Sequence, residues 1–152
     1  LIKHFTQDEM LMFQSMVKAA VIDDDMDVYR RVIEDAGMLQ LDAPFTTEEC
    51  GEYFSHFYEP VRESRVMEWS GAYATSIVRH TFDRTSAIAQ YATVPKSFVF
   101  IQRINLGLYA LLGQLRSSGN YRRISEELWP MTNAAASTPM GEAEAKWLAS
   151  RD

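Results

Sequence analysis

VPKSFVFIQRINLGLYALLGQLRSSGNYRRISEELWP, residues 94–130, is the stretch that decides the fold class. Pro95 leads a run that is apolar almost all the way round at helical spacing, and Ser117-Ser118-Gly119 stops it. At about 100° per residue, Phe98, Gln102, Asn105, Tyr109 and Arg116 share one side. Arg103 points the opposite way, level with Val99, Leu106, Gly107 and Ala110. A helix apolar on most sides is normally buried on most sides. The expectation is a long, largely buried helix near residues 96–117 with a guanidinium inside it. Such a charge needs a carboxylate or several carbonyls, because an unpaired buried charge is very costly. Asp83, Glu59, Asp35 and Glu68 are the candidate partners if Arg103 is a structural pin. The alternative is an anion-binding role, which a lone arginine without a second cation or a Gly-rich loop supports less.

Outward from this helix, helix signals dominate. Thr6-Gln7-Asp8-Glu9 and Thr46-Thr47-Glu48-Glu49 are capping boxes, in which a hydroxyl and a carboxylate satisfy free amides at a helix start. Met10, Phe13, Met16, Val17, Ala20 and Val21 repeat at helical spacing after the first. A second helix opens near Asp25 to Asp27, turns Tyr29, Val32, Ile33 and Ala36 inward, and ends at Gly37. The third presents Cys50, Tyr53, Phe54, Phe57, Tyr58 and Val61, and Pro60 kinks or ends it. Further helices are predicted over residues 71–82 and 86–92, from Asn120 to Trp129-Pro130, and weakly over 142–148. No strand and no internal repeat is read. The predicted fold is all-α, an irregular bundle of about six or seven helices around the long one, in a single domain over residues 1–152.

Composition narrows function by exclusion. Net charge −6 and a pI near 5.1 argue against nucleic acid or an anionic membrane surface as a generic partner. One cysteine, Cys50, rules out an intramolecular disulfide and fits a reducing, cytoplasmic compartment. Its place on an apolar helix face reads as a buried, inert thiol. The longest strongly apolar run, residues 106–112, is far short of the ~18 residues that cross a bilayer. The chain opens at Leu1 rather than Met and without a signal-like segment, so a fragment of a longer protein is expected.

Several constellations invite chemistry. Asp23, Asp25, Asp27 and Glu34 occupy calcium-loop spacing, but Val28 stands where the turn needs glycine and Arg30 where an apolar residue is usual. The cluster reads instead as an acidic helix start, favourable to the helix dipole. Glu52, His56 and Glu59 share one helical face, yet no second histidine or cysteine pair completes a site, so no metal is assigned. His80 and Asp83 stand one turn apart without a nucleophile, and no catalytic residue is assigned. Gly107 and Gly113, inside a helix, point to close packing by a neighbour. Tyr53, Phe54, Phe57 and Tyr58 form an aromatic stripe that is either plain core or the lining of a groove for an apolar lipid or quinone.

Pro95-x-x-Phe98-Val99-Phe100-Ile101-x-Arg103, Gly107, and Asn120-Tyr121-Arg122-Arg123-Ile124 with Glu127-Leu128 resemble the C-terminal region of bacterial UbiB/AarF-type atypical kinase-like proteins. The resemblance extends more weakly through residues 23–27, 53–63 and 68–69, and so spans most of the chain. That family's Lys-x-Gly-Gln motif, nucleotide-binding lysine, catalytic-loop aspartate and Asp-Phe-Gly lie upstream of the matched region, and none occurs in these residues. The resemblance therefore implies the C-terminal helical portion of an atypical kinase, lacking the active site. For the intact protein it implies ATP and Mg²⁺ as cofactors, a role in quinone or isoprenoid-lipid metabolism, and a cytoplasmic location peripheral to the membrane. For this segment it implies no cofactor and, as partner, the N-terminal kinase-like portion of its own protein. The other expectation is a free-standing helical binding module, holding an apolar ligand or a partner helix beside residues 53–58.

Overall fold

The structure, a computed structural model, describes residues 3–151. Thr6 caps α1 (Gln7–Val17), and Thr46 caps α3 (Thr47–Ser55). In both boxes the hydroxyl accepts the amide three residues on at 3.2 Å, while that glutamate accepts the threonine amide at 2.8 Å. Helix α1 runs into a π-helical turn, Lys18–Ile22, which carries the buried Ala19, Ala20 and Val21. Asp25 accepts the Val28 amide and starts α2 (Met26–Asp35), and Gly37 follows its end at φ +70°, where a side chain would be strained.

The third helix breaks before Pro60. A 3₁₀ turn, His56–Tyr58, leads into a single-turn α4 (Glu59–Arg62), which places Pro60 where its missing amide costs nothing. Then come α5 (Gly71–Phe82), a 3₁₀ turn at Ala87–Gln90, α6 (Lys96–Leu115), α7 (Tyr121–Leu128) and α8 (Pro139–Ala149). The protein is mostly helical, with seven helices of two turns or more among the described residues. One departure from an all-α reading is a two-residue ribbon, β1 (Met67–Glu68) antiparallel to β2 (Ser118–Gly119). It ties the start of α5 to the end of α6, and two residues per strand leave no periodicity to read.

Two apolar clusters hold the chain. The larger joins α1, α2 and α3 through Met16, Tyr29, Ile33, Leu39, Cys50 and Phe54. The smaller, Trp69, Ala74 and Ile77, packs α5 against Leu106, Tyr109 and Leu112 of α6.

The long helix is not largely buried, and this corrects the expectation. Only 6% of its most apolar window is buried, because α5 and the α1–α3 body cover one side and leave the other open. Phe98, Leu106, Tyr109 and Leu112 face inward, whereas Ile104 is 63% exposed and Leu115 75% exposed. Apolar periodicity reports that a surface is sticky, not that its partner lies within the same chain. By length and composition alone α6 reaches what a membrane span requires, 20 residues at mean hydropathy 1.2.

Arg103 lies on the open side. It is exposed and forms no ion pair among the described residues, so none of Asp83, Glu59, Asp35 or Glu68 is its partner. The two helix glycines divide in the same way. A Cβ at Gly113 would meet the Ser70 carbonyl oxygen at 3.0 Å and the Ala74 Cβ at 3.2 Å, whereas one at Gly107 would meet nothing within 4 Å. Gly107→Ala is therefore expected to stabilise the protein by about 0.5–1 kcal/mol through helix propensity. Gly113→Ala is expected to lose that gain to the clash. Urea midpoints of the two variants check the pair.

Candidate functional site

Between the α1–α3 body and the inner side of α6 runs a groove of about 580 Å³. All four residues of the aromatic stripe line it: Tyr53 and Phe54 from α3, Phe57 and Tyr58 from the turn that follows. Phe54 is buried in the larger cluster, and the other three are half-buried toward the groove. The stripe is thus core on one edge and groove wall on the other. Phe98 opens α6 by packing edge-on against Phe13 of α1 at 4.9 Å, which holds one end of the groove closed. Tyr109 stacks on Trp69 at 4.7 Å and fixes the other wall.

The polar groups inside carry no charge. Tyr29 and Tyr58 meet edge-on at 5.9 Å between ring centres. Burial pushes the Tyr58 phenol up to about 12 and pushes Tyr29 well above its ordinary value. Burial also raises Tyr109. All three remain neutral near pH 7. Half-buried Gln102 and exposed Asn105 bring two side-chain amides to the groove, and neither side chain is hydrogen-bonded within the described residues. Charge appears only at the rim, where Asp83 and Arg84 follow the end of α5. The lining is that of a site for an apolar body with a few hydrogen-bonding points.

Beside the groove, the seam between the end of α3 and α5 holds a histidine pair in ring contact. The His56 and His80 rings lie 4.1 Å apart at 37°, and His80 also sits 5.4 Å from the Tyr53 ring. The His80 Nε2 is 3.0 Å from the Tyr53 carbonyl, a bond that joins α5 to α3. His56 Nδ1 is 3.8 Å from Glu59, while its Nε2 is buried without a partner. Glu52 does not join them, and among the described residues no three ligating side chains come together as a metal site.

The arginine that pins the fold is Arg122, with a second at Arg30. From α7, Arg122 donates to the Val21 carbonyl at 2.7 Å and to Glu126 at 2.6 Å, and lies over the Trp129 ring. Arg30 donates to the carbonyls of Ala43 and Phe45 and to Glu34, drawing the loop before α3 onto α2. Each has a glutamate four residues on, the one signal in the sequence that could have found them. In the acidic cluster, Asp25 is a helix cap, Asp23 pairs with Lys18 and Asp24 with Arg62, so these carboxylates have structural partners.

No family model, no curated protein and no solved structure matches this chain.

Proposed function

We propose that this is a helical binding module whose groove holds one elongated, uncharged-bodied ligand, a lipid or an isoprenoid-like chain with a hydrogen-bonding head. The observation that carries the reading is the 580 Å³ groove itself, lined by Tyr53, Phe57 and Tyr58 and by the two free amides of Gln102 and Asn105. An apolar chain would cover half-buried aromatic surface, and each buried methylene contributes about 0.8 kcal/mol. The amides and the Tyr109 hydroxyl would select a carbonyl or hydroxyl head over a bare hydrocarbon. Titration with N-phenyl-1-naphthylamine, a neutral apolar fluorophore, is expected to saturate at one per chain at micromolar concentration and to be displaced by a long-chain alcohol. Fluorescence that rises without saturation would contradict the reading.

A second reading is supported by where the kinase-like residues fall. Of the residues in the resemblance to UbiB/AarF-type proteins, Val99, Arg103 and Gly107 lie on the open side of α6, among the exposed Ile104, Leu108 and Leu111, whereas Phe98 and Tyr121 pack inward. As the C-terminal helical portion of such a protein, the segment would pack that side against its own N-terminal kinase-like portion. ATP and Mg²⁺ would belong to that upstream portion, and the location would be cytoplasmic or peripheral to a membrane. The coding sequence upstream of Leu1 tests this reading: Lys-x-Gly-Gln and Asp-Phe-Gly are expected there, and a reading frame lacking them would overturn it.

A further inference from the structure

We propose that the His56–His80 pair is a proton-operated latch, which holds the α3–α5 seam shut near neutral pH and opens the groove in acid. The gating of ligand rests on the groove reading above, whereas the latch itself rests on the seam.

The seam is built so that a second proton on His56 has no place in it. The His80 Nε2 hydrogen is committed to the Tyr53 carbonyl at 3.0 Å. On His56, a hydrogen on Nδ1 faces Glu59, which leaves Nε2 as a bare, buried lone pair. An unpaired acceptor is tolerable. Once protonated, that nitrogen becomes a stranded cationic donor pressed against a second imidazole 4.1 Å away.

The groups facing the pair do not rescue it. Glu59 of α4 favours the charged form of His56, but it is 3.8 Å away and half open to solvent. Asp83, at the end of α5, is exposed, is engaged by the Thr85 amide and hydroxyl, and acts on His80 rather than on His56. Glu52 of α3 is exposed, and Tyr53 of α3 and Tyr73 of α5, both raised by burial, stay neutral. Screened carboxylates give little. Burial, with His80 adding to it, outweighs Glu59 and holds His56 below its ordinary value.

The sign follows by linkage. A histidine depressed in the fold titrates near 6.5 when unfolded, so below that pH the open state takes up more protons and stability falls. The position of the pair turns lost stability into gating. Its bond to Tyr53 joins the wall bearing Tyr53 and Phe57 to the end of α5, where Thr81, Phe82 and Arg84 form the facing rim. Protons reach it from a shallow hollow of about 360 Å³, lined by His80, Glu49 and Glu52.

The test compares the wild type with His56→Phe, which keeps the ring stacking and removes the proton site. His56→Gln, which also removes the proton site, serves should the first variant fail to fold. Each is titrated with N-phenyl-1-naphthylamine and melted in urea at about pH 7.5 and about pH 5. The wild type is expected to lose roughly tenfold in affinity together with urea midpoint, and the variants less than about twofold. An equal loss in wild type and variants overturns the latch, as does a His56 ring that titrates at or above 6.5 by NMR. Absence of saturable binding at pH 7.5 overturns the groove reading instead, and the urea midpoints then decide the latch alone.

Discussion

Trp69→Ala is expected to cost about 3–5 kcal/mol, the largest stability loss of any single truncation in the smaller cluster. Trp69 is 1% exposed and is ringed by Tyr73, Tyr109 and Tyr121 with ring centres 5.0, 4.7 and 6.0 Å away. That cluster has only two other buried members, Ala74 and Ile77, neither large enough to close the cavity. The larger α1–α3 cluster does not include Trp69, so the variant is expected to lose α5–α6 packing first and to melt in two steps by circular dichroism. Trp69 Nε1 is buried without a partner, so Trp69→Phe removes a stranded donor and should cost much less than the alanine. Equal melts for the two variants would contradict this account of the cluster.

Arg122→Ala is the second large effect, at about 2–3 kcal/mol. Its side chain is 14% exposed. Removing it strands the Val21 carbonyl at the π-helical turn and uncovers Trp129. Arg122→Lys should recover less than half of the loss, since an ammonium lacks the planar fork that reaches the Val21 carbonyl and Glu126 together. Arg103→Ala, by contrast, should stay within about 0.5 kcal/mol, as for any exposed side chain. Urea melts of the three variants rank them.

The contrast between these arginines shows what the sequence carried and what it did not. Local chemistry was legible: both capping boxes, the Asp25 and Asn120 caps, the Gly37 terminator and the break before Pro60 all form where residue type and spacing put them. Each depends on atoms within about four residues, and spacing encodes that range. The rotation of α6 was not legible. Its apolar residues run almost round the helix, so periodicity alone does not tell the side that meets α5 from the open side. The inward expectation for Arg103 equates a sticky helix with a covered one, and α6 is only covered on one side. Gln102 and Asn105 line the groove, but their spacing alone is equally that of one side of a buried helix.

The aromatic stripe is visible in the sequence without its two roles, because a groove wall and a core face have the same periodicity. The histidine pair was invisible for a different reason. His56 and His80 are 24 positions apart and meet only through the packing of α5 on the turn after α3.

The central claim is that α6 turns one side to a ligand groove and the opposite side outward. Gln102→Trp and Arg103→Trp, the same substitution at neighbouring positions, test it most directly. The first indole would fill the groove beside Tyr109, and the second would project from the open side. Titrated with N-phenyl-1-naphthylamine at pH 7.5, Gln102→Trp is expected to lose about tenfold or more in affinity and Arg103→Trp less than about twofold. Equal affinities in the two variants, or a loss confined to Arg103→Trp, would contradict both the groove and the rotation of the helix.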